Sequence, residues 1–225
     1  MQTQPNDKAE LTPLQVRQLL QLMEGQQSGA QARTQADILL HAMAVFVRRG
    51  LARTTVQDLL NEAGVSRRTF YKYYHSKQDV LETIYRLLAT NMVVRFEEQV
   101  RLARGDLRAS IRRIVRIYVD YHLGMGPIIR LVLEEARRTD SPLAPHREQA
   151  YQQVVQLLKA TIKRDSGREV EPLALLSLLW NLEDYSLYLA SQHYSASACA
   201  KVERILESLA CMVALGQPDA GLLEA

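Results

Sequence analysis

The sequence predicts an all-α protein of about nine helices, and three observations carry that expectation. Glycine and proline gather at Gly25/Gly29, Gly50, Gly64, Gly105, Gly124/Gly126/Pro127, Pro142/Pro145, Gly167/Pro172 and Gly216/Pro218, and the intervals between them are mostly helix-sized. Between these breaks apolar residues recur at helical spacing: Ile38, Leu39, Ala42, Val45 and Phe46; then Leu107, Ile111, Ile114, Val115 and Tyr118; then Val202, Ile205, Leu206, Leu209 and Val213. Thr55, Ser66 and Ser76 each place a hydroxyl at the head of such a pattern, where a side-chain oxygen accepts from the orphan backbone N–H groups of a helix start. No segment reads as a strand.

Residues 1–30 form a polar arm with glutamines at 2, 4, 15, 18, 21, 26 and 27. Within it Thr12-Pro13 resembles a cap followed by a first-turn proline, and Val16, Leu19, Leu20 and Met23 share one face. A short extra helix and a flexible arm are both compatible with this pattern. The longest apolar run, Leu173 to Trp180, is far short of the ~20 residues that span a bilayer. The first ten residues carry Asp7 and Glu10 and lead into no apolar segment, unlike a secretory signal. A cytoplasmic protein with no membrane partner is expected. Cys199 and Cys211 stand twelve residues apart in a helical stretch, about 18 Å at 1.5 Å per residue, so no disulfide or cysteine metal site is expected.

Residues 31–77 are the most explicit part of the chain. The first helix carries the stripe Ile38 to Phe46 and stops near Gly50. Thr55-Val-Gln-Asp58 and Ser76-Lys-Gln-Asp79 add an acid at the third helical position, the pattern of a capping box. A helix from Thr55 to about Glu62, a turn at Ala63-Gly64-Val65 and a second helix from Ser66 to about Tyr74 make a helix-turn-helix, whose second helix enters the DNA major groove. At 100° per residue Phe70 and Tyr74 fall on one face of that helix, with Arg68 and Lys72 opposite and Arg67 and Tyr71 beside them. The 225-residue chain carries a net charge of only +3, but this window holds eight Lys/Arg and three acids. Its balance of +5 leaves −2 for the remainder, the concentration expected of a phosphate-binding surface.

The elements Ala32-Arg-Thr-Gln-Ala-Asp-Ile-Leu-Leu-His-Ala, Phe46-Val-Arg-Arg-Gly50, Thr54-Thr-Val-Gln-Asp-Leu59, Ala63-Gly-Val-Ser66, Thr69-Phe-Tyr-Lys-Tyr-Tyr74 and Ser76-Lys77 resemble the N-terminal DNA-binding domain of the TetR family of transcriptional regulators. The resemblance implies double-stranded operator DNA as a partner. It implies DNA-backbone contacts from Arg33 and Thr55, a base contact from Gln57, groove contacts from Arg67, Arg68, Thr69, Tyr71, Lys72 and Tyr73, and a phosphate-binding role for Lys77. Two positions depart from the family pattern: Leu60 stands where a small Ala is usual, and Arg68 where Gly or Pro is frequent.

The same resemblance assigns residues 78–216 to an effector-binding and dimerisation domain, with 217–225 as a tail. Helix four, from about Ser76 to Ala103, would link head to body and transmit effector binding to two recognition helices that must sit about 34 Å apart. The last two long helices, about 172–191 and 198–215, would build a homodimer interface. Leucines at 173, 175, 176, 178, 179, 182, 187 and 189 cover most of the circumference of the first, leaving a polar stripe of Ser177, Asn181, Asp184, Tyr188 and Ser191. That stripe faces solvent, a dimer seam or an effector cavity. Tyr118, Tyr121, His122, Trp180 and Asp184 are the candidate ligand contacts, with core aromatics and a satisfied histidine as the structural alternative.

The five histidines, at 41, 75, 122, 146 and 193, have no metal-ligand spacing, and the chain lacks a phosphate-binding glycine loop and a G-x-S-x-G elbow. No enzyme, metal or cofactor is therefore expected. The sequence predicts a regulator, a repressor released from a pseudo-palindromic operator by an unidentified small molecule. The alternative is an activator, or a structural or protein-interaction role without an inducer.

Overall fold

Helices α1 (Ala30–Arg53), α2 (Val56–Ala63), α3 (Arg67–Tyr73), α4 (Lys77–Leu102), α5 (Leu107–Met125), α6 (Pro127–Ala136), α7 (Ala144–Ser166), α8 (Pro172–Ser191) and α9 (Ala196–Leu215) are the regular elements among the residues described, 30–191 and 196–216, in this computed structural model. The expected helix after Thr12-Pro13, the rest of the glutamine-rich arm and the tail lie outside the described residues. None of the described helices is long and apolar enough to cross a membrane.

The chain divides into two units, one ending at Leu88 and the next beginning at Ala89, so the division falls inside α4. The sequence placed the end of the head at residue 77. Burial explains the difference: Val80, Leu81 and Ile84 on the first turns of α4 are fully enclosed and belong to the first unit. They join Ile38, Leu39, Met43 and Phe46 of α1, Leu59 and Leu60 of α2 and Phe70 of α3 in the head's core. Leu60, the larger residue at a usually small position, is buried, and its carbonyl accepts the N–H groups of Gly64 and Val65 at the end of α2.

Two glycines punctuate the head where the sequence placed breaks. Gly50 adopts φ 73°, ψ 157°, a region open almost only to glycine, and it kinks the last turn of α1. Gly64 adopts φ 62°, ψ 28°, the left-handed cap that ends α2 and turns the chain toward α3.

In the second unit α8 is the central element, touching α5, α6, α7 and α9. That explains its leucine content, because a helix contacted on several sides needs apolar residues around much of its circumference. Leu175, Leu179, Leu182 and Leu189 are buried, whereas Leu173, Trp180, Asn181, Asp184 and Tyr188 form an exposed stripe. Asn181, Asp184 and Tyr188 of the expected polar stripe thus face outward, with Trp180 beside them, while the side chain of Ser191 lies outside the described residues.

On the inner side of α8 sits a carboxylate that sequence reasoning passed over. Glu183 is 1% exposed and accepts from Arg137 at the end of α6 and from Arg147 and Tyr151 of α7. Arg147 also donates to the Tyr151 hydroxyl at 3.0 Å, and Arg137 bridges outward to Asp184. A buried carboxylate persists only when paired and hydrogen-bonded, and this one ties three helices together. Glu183→Ala should destabilise the protein by about 3 kcal/mol in urea unfolding, because it leaves the Arg147 guanidinium and the Tyr151 hydroxyl without their shared acceptor.

Candidate DNA-binding surface and the interior of the body

Local chemistry builds the helix-turn-helix. Thr55 caps α2 with a complete capping box: the Asp58 N–H donates to Thr55 Oγ1 at 3.2 Å, and the Thr55 N–H donates to Asp58 Oδ2 at 2.8 Å. Asp58 also receives Arg49 of α1 at 2.7 Å. The hydrogen bonds from Thr55, with the charge of Arg49 behind them, hold the Asp58 carboxyl below the usual carboxylate range. Ser66 caps α3 by accepting the Thr69 N–H at 3.0 Å. At the start of α4 the Asp79 N–H donates to Ser76 Oγ at 3.1 Å, and the Asp79 carboxylate accepts from the His75 N–H at 2.8 Å, one residue earlier than a capping box would require.

The helix α3 then presents two faces, as its spacing predicted. Phe70 and Tyr74 are buried, with ring centroids 5.9 Å apart, and Tyr71 meets the Phe70 ring edge-on at 5.5 Å. That contact props Tyr71 outward, where it is 43% exposed. Arg67, Arg68 and Lys72 are exposed on the same side, and Thr69 and Tyr73 are half-buried. The Lys72 ammonium lies 5.2 Å from the centre of the Tyr73 ring. Gln57 of α2 accepts from the Arg67 guanidinium at 3.1 Å and donates to Asn61 at 2.8 Å, so an α2 and an α3 candidate contact are held as one unit. Arg33 and Thr55 are also exposed.

The cations flanking this face divide into two groups. Arg48 pairs with Glu62 at 2.7 Å and Arg49 with Asp58, so both tie α1 to α2. Lys77 is half-buried, and its ammonium donates to the carbonyls of Leu51 at 2.8 Å, Ala52 at 3.2 Å and Thr54 at 2.6 Å. An ammonium has three protons, so Lys77 is matched to the chain end of α1. Arg33, Arg68 and Lys72 have no ion pair among the described residues. Their charge is available to a polyanion.

A model of the family described as "Bacterial regulatory proteins, tetR family" matches residues 38–84, which contain this whole arrangement. The HTH-type transcriptional repressor LfrR of Mycolicibacterium smegmatis is 30% identical over 135 residues, covering 59% of this chain and 67% of that protein. The chain belongs to the TetR family. The HTH-type transcriptional activator FasR of the same organism is 25% identical over 144 residues, covering 63% of this chain, and the match spans just 64% of that relative's length. The TetR-family fold extends over the body as well. The transcriptional regulator FadR from Bacillus subtilis, solved in complex with stearoyl-CoA, shares it with a TM-score of 0.64, at 18% identity over 76% of this chain and 97% of that one.

In this TetR-family chain the five candidate ligand contacts do not form one group. Tyr118, Tyr121 and His122 are buried on α5. Tyr118 stacks on His122 at 4.0 Å and approaches Phe96 of α4 at 6.0 Å, and Arg95 lies 5.6 Å from the centre of the Tyr121 ring. Trp180 and Asp184 lie on the outer face of α8, exposed, and so are removed from any interior site. The reason is angular: on a 3.6-residue period they fall opposite Leu175, Leu179, Leu182 and Ser186, which face inward. A cavity of about 50 Å³ between α5, α7, α8 and α9, lined by Ser110, Ile114, Leu158 and Leu175 among others, has room for a few waters rather than for a drug-sized molecule.

Lys77→Met should lower the stability of the head by about 2 kcal/mol in denaturant titration, since it strips three carbonyls of a charged donor. A loss of DNA affinity beyond that explained by unfolding would show a phosphate contact as well. His122 supplies a second expectation. Burial pushes its pKa from 6.5 down to about 4, against the opposing hydrogen bond to the Tyr118 carbonyl and the charge of Glu183. The folded protein therefore keeps it neutral where the unfolded chain would protonate it. The stability this confers is complete above about pH 6.5 and is lost as pH falls toward 4. Thermal unfolding should show that decline, and His122→Phe should flatten it between pH 6.5 and 5.

Proposed function

We propose that the protein is a homodimeric transcriptional regulator that binds a pseudo-palindromic operator and is released by a small molecule. The observation that carries this reading is the outer face of α3, where Arg67, Arg68, Tyr71 and Lys72 stand exposed on a helix whose start, turn and inner face are all fixed by the head. Arginine can grip guanine O6 and N7 with two donors, and Arg68, the departure from the family pattern, adds such a group at the head of the helix. On this reading Arg33 and Thr55, both exposed, hold phosphates while α3 reads the groove.

Dimer formation is supported by the exposed stripe of α8. Leu173, Trp180 and Tyr188 are each about half exposed, and Met212 of α9 is also exposed, an apolar surface that a second copy would cover. Two recognition helices about 34 Å apart would then engage successive major grooves. The repressor LfrR favours repression as the sign of regulation, and the complex of FadR with stearoyl-CoA favours a small-molecule effector. The helix α4, continuous from Lys77 to Leu102, is the element through which such an effector would act on the head.

A gel shift against the chain's own upstream DNA tests the reading. Arg68→Ala and Tyr71→Ala should weaken specific binding at least about tenfold while leaving the fold intact. Trp180→Glu should give a monomer by sedimentation and lose the operator complex. Equal, sequence-independent affinity for wild type and all three variants would overturn it.

A further inference from the structure

The charge of the second unit is as uneven as that of the whole chain. From Arg95 to Arg116 seven arginines face three acids, whereas the rest of residues 89–225 has more acids than bases. Elsewhere in the unit several cations are matched: Arg130 pairs with Glu134, Arg137 and Arg147 with Glu183, Arg138 with Asp140, Lys163 with Glu169 and Arg164 with Asp165. Arg112, Arg113 and Arg116 are different. Among the described residues none of them has an ion pair, and Arg113 alone finds a hydrogen-bond partner, Gln99 of α4 at 3.5 Å.

These three arginines line one concavity. A groove of about 540 Å³ runs along the outer face of α5, with Gln99 of α4 on one wall and Glu207 of α9 on the other. Its volume lies within the range of small-molecule sites, about 300–1,000 Å³. Arg112, Arg113, Arg116 and Asp120 follow each other at helical spacing, so the groove is basic at one end and acidic at the other. At the acidic end burial and the neighbouring Asp120 raise the pKa of Glu203, and Arg116 partly offsets them. Arg116 is therefore held by the field of these carboxylates, and Arg112 and Arg113 lie about a turn further from them along α5. Each guanidinium offers five N–H donors in a fork that matches a phosphate or carboxylate.

We propose that this groove binds a phosphate ester bearing hydroxyl or amino groups, of which a nucleotide is the type. Arg112 and Arg113 hold the phosphoryl oxygens, and their α-carbons lie within one turn of Arg116, so two linked phosphates are within reach. Asp120 accepts from a hydroxyl or amino group at the other end. A bare anion uses only the basic end. A neutral ligand uses neither.

Calorimetric titration of the full-length protein with ADP, pyrophosphate and inorganic phosphate, at constant ionic strength, tests the proposal. ADP should bind saturably, and the double variant Arg112→Gln/Arg113→Gln should weaken it at least tenfold. Asp120→Asn should weaken ADP while leaving pyrophosphate unchanged. Pyrophosphate binding as tightly as ADP would overturn the ester assignment in favour of a simple polyphosphate site. Heats that match a sodium chloride control, or are the same in wild type and double variant, would make the arginines a solvated face and overturn the site. The double variant should retain operator affinity in the absence of nucleotide. If it loses that affinity, the arginines serve DNA instead and the proposal fails, whereas a wild type that binds ADP but no operator would leave this site standing and refute the regulatory reading alone.

Discussion

A seven-residue helix does not hold its shape in water, because nucleating the first turn costs more than two turns of hydrogen bonds return. The helix α3 has that length, and the rest of the head is organised around this constraint. Ser66 satisfies an N–H at its start, Gly64 sets the angle at which the chain enters it, and Phe70 and Tyr74 bury its inner face. With those fixed, the outer side chains have little choice of direction. Their exposure is a consequence of the packing beneath them, and a surface that must match a groove benefits from such preorganisation.

Charge is distributed by the same logic. The head carries an excess of cations, but the structure separates those that hold helices together from those that remain outward. Arg48 and Arg49 close on acids of α2, and Lys77 closes on backbone carbonyls of the α1 end. A lysine at the first residue of a helix opposes the helix dipole, and three carbonyl acceptors at the end of α1 offset that. What is left on the surface is a smaller, directional set, and it lies on the face that the short helix presents. The body repeats the pattern, with several arginines matched to acids and Arg112, Arg113 and Arg116, which have no ion pair among the described residues, gathered in a single groove.

Within the body, the position of α8 among four other helices explains both its leucines and its buried carboxylate. Leucine provides non-directional burial on several sides. Glu183 adds a directional tie, because its oxygens accept from two helices in one arrangement only. Its place was open to inspection in the sequence: it falls with Leu179, Leu182 and Ser186 on the inward side of an apolar helix. The neighbouring Asp184 drew attention as the polar residue of the stripe, and one residue of rotation, 100°, separates an exposed acid from an enclosed one.

Local chemistry alone determined the helix ends. Caps at Thr55, Ser66 and Ser76, glycines with positive φ and a 3.6-residue apolar period act over a few residues, so they can be read without knowing the fold. The two faces of α3 followed for the same reason. The division of the chain inside α4, the inward role of Lys77 and the separation of Trp180 and Asp184 from Tyr118, Tyr121 and His122 depended on which helix packs against which. Lys77 meets carbonyls more than twenty residues away, and Glu183 meets arginines more than thirty residues away. Partners at such separation leave no trace in local spacing, because burial and ion pairing are decided by the surfaces that tertiary packing brings together.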